Sequence, residues 1–281
     1  MKVEAGIIEG ITDEEYFSID AVNASLLKDY DESINHGVWR SEQPAKESSA
    51  LNIGTLTHLL CLEGERAFQD AIDQRYLIGG PINERTGTYY GKDTKAFREW
   101  VDENAHGRKV ITEDDYNNIV AMATAIKNHG PSYETLIRCP KREAVIIWTD
   151  PDTGITCKAK MDMYGGPILC DLKSSARMDN KYQIMRDIRK WKYDIQFGFY
   201  FDGALAAGLP VKEFRAIFVG SQDEHDVACF RASKKILDKG RSRYKEALKR
   251  LLDARNGVRR GRFPLLEDVE PIEPAFTGEG A

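Results

Sequence analysis

Asp162, Asp171 and Lys173 bring two carboxylates and an ammonium together at a spacing that could do chemistry. Residues i and i+2 of a strand face the same side, so Asp171 and Lys173 point together. Cys170 and Leu172 then turn to the opposite face, into the core. A tight turn after Asp162 lets it project beside Asp171 from the neighbouring strand. Two carboxylates at close range repel one another unless a cation sits between them. Oxygen ligands favour Mg²⁺, with Mn²⁺ as a substitute, and both ions also bind phosphate. A lysine beside such an ion can orient or deprotonate a water and stabilise charge growing on phosphorus. This is an outline for phosphodiester hydrolysis. A D-x-K on a strand is equally the pattern of a solvated ion pair. Here Ile168-Leu169-Cys170 and Leu172 predict a buried strand, where unpaired charge is expensive.

The elements that must position these residues can be read along the chain. Residues 143–150 read as a strand, Asp150-Pro151-Asp152-Thr153-Gly154 as a turn, and 155–163 as the second strand of that hairpin. A third strand covers 168–173. The spacing predicts a helix over 191–207, stopped by Gly208 and Pro210. Residues 214–220 and 227–231 form a closing hairpin, and Ser233 caps a long helix to about Ala254.

Upstream the texture is helical. Asn23 or Ser25 caps a short helix. Leu51, Leu56, Leu59, Leu60 and Leu62 predict a buried helix within 48–71, with His58 inside it. Residues 79–95 are glycine-rich and predict a mobile loop. Helices follow over 94–104 and from Thr112. Helices flanking a small mixed β-sheet make an α/β (α+β) domain. One domain spans 1–281: a mainly helical part with His58 (1–140), the catalytic sheet and its helix (141–232), and a basic helix and tail (233–281).

Bulk composition excludes some classes. With 42% hydrophobic and 30% charged residues the 281-residue chain is ordinary for a globular protein. No apolar run approaches the ~18 residues of a membrane span. Residues 1–5 lack the apolar core of a signal peptide, so a cytoplasmic protein with no membrane contact is expected. The five cysteines form no CxxC pair, which argues against a zinc ribbon or an iron–sulfur cluster. A net charge of −5 does not suggest a nucleic-acid binder, although basic surface can be confined to one channel.

In order, His58, Asp162, Asp171-Leu172-Lys173 and Gln196-Phe197-Gly198-Phe199-Tyr200 resemble the RecB-like branch of the PD-(D/E)xK nucleases. Trp148-Thr149-Asp150-Pro151-Asp152-Thr153-Gly154, Asp171-Leu172-Lys173-Ser174-Ser175-Ala176 and Tyr193-Asp194-Ile195-Gln196 look like the exonuclease domain of RecE-type phage recombination proteins. The similarity runs roughly from residue 16 to 220. It implies that Asp162, Asp171 and the Leu172 carbonyl bind metal, that His58 adds a ligand, and that Lys173 is the catalytic lysine. It implies that Gln196 and Tyr200 brace the site and contact DNA, as would Ser174. The family often carries arginine two residues before the first aspartate. Lys160 stands there instead, keeping the charge but losing bidentate phosphate contact.

The resemblance further implies a 5′→3′ exonuclease on double-stranded DNA ends, using two Mg²⁺ ions and leaving 3′ single strands. Subunits would form a homo-oligomeric ring, and a single-strand annealing protein would be the partner. The alternatives are a structure-specific or single-strand nuclease of the same superfamily, or a non-catalytic DNA-binding assembly protein. The intact Asp162, Asp171 and Lys173 set argues against the last.

Without the resemblance, His58 reads as a core or surface residue, and Gln196 with Tyr200 as helix packing one turn apart. Glu143, at the start of its strand, reads as surface-exposed in preference to a supporting role at the site. From Lys234 to Arg262 the chain concentrates positive charge. Lys245, Lys249 and Arg250 are the residues expected to track DNA phosphates, against the plainer reading of a solvated helix face.

Overall fold

The computed structural model describes residues 5–44, 49–222 and 224–261. Ser48, Arg262 and the glycine-rich tail 277–281 lie outside the described residues. A short strand β1 (Gly6–Ile8) leads into helices α1 (Asp13–Ser18), α2 (Ala24–Glu32), α3 (Ile34–Ser41), α4 (Ser49–Leu62) and α5 (Glu65–Arg75). Strands β2 (Tyr76–Ile78), β3 (Ile82–Asn83) and β4 (Thr88–Tyr89), helix α6 (Lys95–Asn104) and strand β5 (Lys109–Ile111) follow. Then come α7 (Glu113–Asn128), α8 (Gly130–Arg138), β6 (Lys141–Thr149), β7 (Thr156–Gly165), β8 (Ile168–Ser175), α9 (Lys181–Lys190) and α10 (Tyr193–Ala206). Strands β9 (Glu213–Gly220) and β10 (Val227–Arg231) and helix α11 (Lys234–Arg255) complete it.

Capping chemistry sets several of these boundaries. Asn23 accepts from Leu26 N, Thr94 from Phe97 N and Ser233 from Ile236 N, while Thr112 and Asp115 form a reciprocal capping box. Two expectations are corrected. The leucine-rich helix does not run to residue 71, because Gly64 at φ +91° breaks it into α4 and α5. The glycine-rich segment 79–95 is not loop throughout, since β3 and β4 pair in it as a small antiparallel ribbon.

The main sheet has six strands in the order β1-β6-β7-β8-β9-β10, mixed because β8 and β9 run parallel and the other pairs antiparallel. One face packs Ala144, Ile146, Trp148, Phe214 and Phe218 against α2, α10 and α11. The other packs Cys170, Leu172, Ile217 and Val219 against Leu62, Met122, Ile126 and Leu136 from α4, α7 and α8. The helices α10 and α11 cross at two glycines. A Cβ on Gly240 would overlap the Asp194 carbonyl, and one on Gly198 would lie 2.7 Å from Arg241 N. Arg243 locks the crossing, donating to both oxygens of Asp194 and both of Asp31. Among the described residues no helix is long and apolar enough to cross a membrane.

Candidate active site

The site opens where the sheet loses its regularity. Strands β7 and β8 pair as far as Met163 and Cys170, and the next pair in that register would be Asp162 with Asp171. The ladder stops there, and Asp162 Oδ2 accepts the Leu172 N–H at 2.7 Å. On the other side of β7, Arg142 pairs with Met163 and Ala144 with Met161, while Glu143 and Asp162 are skipped. Glu143 takes a positive φ of 50°, rare for a residue with a Cβ. The pleat slips phase at this point, so that Met161 packs under one face and Met163 under the other. This break in the ladder, with the register unchanged on either side, turns Glu143 and Asp162 towards the same space.

That space is a cleft of about 1170 Å³, whose walls include His58, Glu143, Lys160, Asp162, Lys173 and Ser174. His58 Nδ1 lies 3.6 Å from Asp162 Oδ2. His58, Glu143 and Asp162 offer one ligand atom each, all within 4.8 Å of one another. Burial holds the His58 imidazole below its ordinary pKa, against the pull of Asp162, so it is neutral and free to ligate. Burial and the Asp162 charge push Glu143 up to about 7, and Lys160 opposes them from 2.7 Å. Two carboxylates and an imidazole crowded in this way fit a divalent cation, which would cancel their repulsion.

Asp171 sits deeper, on the face that α2 and α10 cover. Gln196 Nε2 donates to its Oδ1 at 2.9 Å. Lys173 Nζ is 2.5 Å from its Oδ2 but off the line that a hydrogen bond requires, and that buried oxygen has no hydrogen-bond donor. Burial raises the Asp171 carboxyl above its ordinary range; Lys173 pulls it down and Asp162 adds to the rise. Lys173 is itself held protonated, because Asp171 and Asp162 outweigh its burial. Its Nζ also donates to the Leu172 carbonyl at 3.3 Å and lies 5.4 Å from the Tyr193 ring centroid. Tyr200 is close enough for Asp171 and Asp162 to act on its hydroxyl, whose pKa burial drives well up.

The structure therefore brings His58, Lys160, Asp162, Asp171, Leu172, Lys173, Ser174, Gln196 and Tyr200 into one neighbourhood. Lys245 and Arg250 are elsewhere and occupied. Lys245 is paired with Asp150 and Asp152, and Arg250 donates to the carbonyls of Tyr30 and Asp31. Only Lys249 of that trio is exposed with its charge turned outward. The expectation of a phosphate-tracking face on α11 is corrected to this extent: the helix spends most of its positive charge on intrachain carboxylates.

Three residues of the site escape sequence reasoning. Glu143 was expected at the surface, and no periodicity encodes the positive φ that turns it inward. Lys28 of α2 donates to Gln196 Oε1 at 3.2 Å, and burial beside Lys173 pulls its pKa down to about 8. Arg142 lines the cleft, donating Nη2 to the Leu136 carbonyl at 2.6 Å while its buried Nη1 has no partner. Both lie on helix or strand positions with no motif around them.

Fold and site together define a PD-(D/E)xK-type nuclease domain. A family described as a PDDEXK-like domain of unknown function (DUF3799) matches residues 23–262, and the chain belongs to it. Among solved structures, a protein of Eubacterium rectale provisionally described as an exonuclease superposes with a TM-score of 0.61 at 16% identity, covering 94% of this chain and 96% of its own. A phage-related exonuclease of Haemophilus somnus 129PT matches 64% of this chain and 91% of its own at 15% identity, with a TM-score of 0.30, too low to define a common fold. No curated protein matches the chain.

Proposed function

We propose that this protein is a Mg²⁺-dependent exonuclease acting on double-stranded DNA ends, digesting 5′→3′ and leaving a 3′ single strand for recombination. The observation that carries the hydrolytic part is the donor cluster His58, Glu143 and Asp162 set against Lys173 in one cleft. The end-directed polarity rests on the RecE-type resemblance, and so do a ring of subunits and a single-strand annealing partner. His58, Glu143 and Asp162 would hold one divalent ion. Asp171 and the Leu172 carbonyl, the further ligands that the resemblance implies, are both in contact with the Lys173 ammonium. When bound, such ions polarise the scissile phosphate and lower the pKa of a water.

The chain supplies the rest. Lys173, kept charged by its two aspartates, is placed to stabilise negative charge developing on phosphate oxygens. Arg142 adds a positive charge to the cleft wall. Gln196, gripped by Lys28, fixes the orientation of Asp171. Linear duplexes labelled separately at each end, incubated with Mg²⁺ and with EDTA, test the proposal. Release of 5′-terminal nucleotides with Mg²⁺ alone is expected; internal cuts, or digestion only of unpaired strands, would replace the exonuclease reading with another nuclease of the superfamily.

A further inference from the structure

The catalytic strand and the Gln196 helix are joined by α9, which plays no part in the mechanism above. Its inner face buries Ile184 and Ile188. Its outer face is unusual for a solvent-facing helix. Tyr182 is 81% exposed and Met185 42%, while Trp191, at the C-cap and half a turn round from Tyr182, is 53% exposed at the end of the helix. Tyr182, Met185, Arg186 and Arg189 follow the i, i+3, i+4, i+7 spacing that puts them on one stripe, opposite the buried isoleucines. Lys190 lies beside this stripe with Nζ 4.7 Å from the Trp191 ring centroid. Among the described residues, neither Arg186, Arg189 nor Lys190 has a carboxylate partner. The helix carries one acid, Asp187, and that is turned to the site: it accepts from Ser175 Oγ at 2.6 Å. Ser175 stands two residues beyond Lys173, about 7 Å along the strand, so the stripe is fastened to the end of the catalytic strand.

We infer that the outer face of α9 is a docking platform for single-stranded nucleic acid beside the cleft. Exposed rings with unpaired cations between them match a strand whose bases are free to stack and whose phosphates need counter-charge. A duplex presents phosphates but keeps its base faces stacked, so it uses only half of what the stripe offers. An acidic protein surface would use the charges and leave Tyr182 and Trp191 without a purpose. The inference deepens the nuclease reading by giving an unpaired strand a path away from the reaction, and it rests on that reading only for this role.

Binding is measured by fluorescence anisotropy of labelled oligo(dT) with the full chain in EDTA, so that cleavage does not interfere. Blunt duplex, inorganic polyphosphate and phosphatidylserine vesicles are the parallel probes. The wild type binds the strand more tightly than the duplex. Tyr182→Ala with Trp191→Ala weakens strand binding roughly tenfold per ring and leaves duplex binding unchanged. Arg186→Gln, Arg189→Gln and Lys190→Gln together reduce the slope of log affinity against log salt by about 2. All five side chains are exposed, and matched melting curves confirm the fold; Tyr182→Ser, at the most exposed position, serves if the double variant melts early. Unchanged strand affinity in the ring variants overturns the inference, as does binding of polyphosphate or vesicles without the strand. A protein that binds the strand but cuts nothing with Mg²⁺ keeps the platform and loses the nuclease reading. Cleavage with strand binding indifferent to the rings does the reverse.

Discussion

Gln196 joins Lys28 to Asp171, accepting from the lysine Nζ at 3.2 Å through Oε1 and donating to Asp171 Oδ1 at 2.9 Å through Nε2. The amide can face only one way, because its oxygen must meet the ammonium and its nitrogen the carboxylate. Gln196→Leu leaves both partners buried without it, and each unsatisfied group costs about 1–3 kcal/mol. Urea melts in EDTA should show a loss of about 2–6 kcal/mol for the two groups together, and turnover should fall with it. Gln196→Glu keeps the Lys28 contact and sets a carboxylate against Asp171, so its activity should be lower than that of Gln196→Leu.

Asp171→Ala should abolish cleavage. Two carboxylates considered alone would gain stability from losing one, which would raise the melting temperature of the metal-free protein. The structure reverses that sign, because Asp171 is also the nearest counter-charge of Lys173. Removing one partner of a buried pair costs about 3–5 kcal/mol. Asp171→Ala should therefore melt early in EDTA, and adding Lys173→Met should restore part of the loss. A higher melting temperature for the single variant would show that repulsion between Asp162 and Asp171 dominates.

Glu143 holds a backbone conformation that costs a residue with a Cβ about 1–3 kcal/mol. Glu143→Gly should make the metal-free protein more stable while weakening its affinity for Mn²⁺ in calorimetric titration. His58→Ala should also weaken Mn²⁺ binding, and high metal should partly restore its cleavage. If both variants bind Mn²⁺ as the wild type does, this donor cluster is not the ion site.

Lys245 reaches Asp150, a nearly fully buried carboxylate that also accepts from Thr153 N and Oγ1. Burial tends to raise the Asp150 pKa, but these contacts outweigh it and hold the group below its ordinary value. A carboxylate with a lowered folded pKa contributes stability above its unfolded pKa of about 3.9 and loses it as pH falls through the folded value. The stability gap between wild type and Asp150→Asn should be full at neutral pH and close in acid. Lys245→Glu should unfold the protein more readily at neutral pH. Reversing Lys249 alone, by contrast, should leave stability unchanged and isolate whatever charge α11 offers to DNA.

Gly240→Ala should separate α10 from α11, since its methyl group meets the Asp194 carbonyl. Overpacking of this kind costs about 1–3 kcal/mol. Turnover should drop more steeply than stability, because Gln196 rides on α10; equal losses in both would show that the crossing matters only for folding.

What the sequence disclosed, and what it hid, divides along physical lines. Asp171 and Lys173 share a face because strand periodicity is local, and the three strands of 143–173 follow from alternation and turn chemistry within a few residues. The caps at Asn23, Thr94, Thr112 and Ser233 are equally local. Lys28 is invisible because its role depends on α2 meeting α10 across 168 positions. Glu143 is hidden by an irregularity: its positive φ breaks the very alternation used to assign its face. Lys245 misleads for a related reason, since a run of cations says nothing about carboxylates that arrive from a distant turn.

The glycine crossing has a consequence in time as well as in space. A chain is made from its N-terminus, so β7 and β8, with their aspartates and lysine, exist before α11 does. Until α11 arrives, α10 lacks the helix that seats it, and Gln196 has no fixed station beside Asp171. An incomplete chain thus carries the chemical groups of the site without their alignment. The alignment of the site is complete only when the last described helix closes.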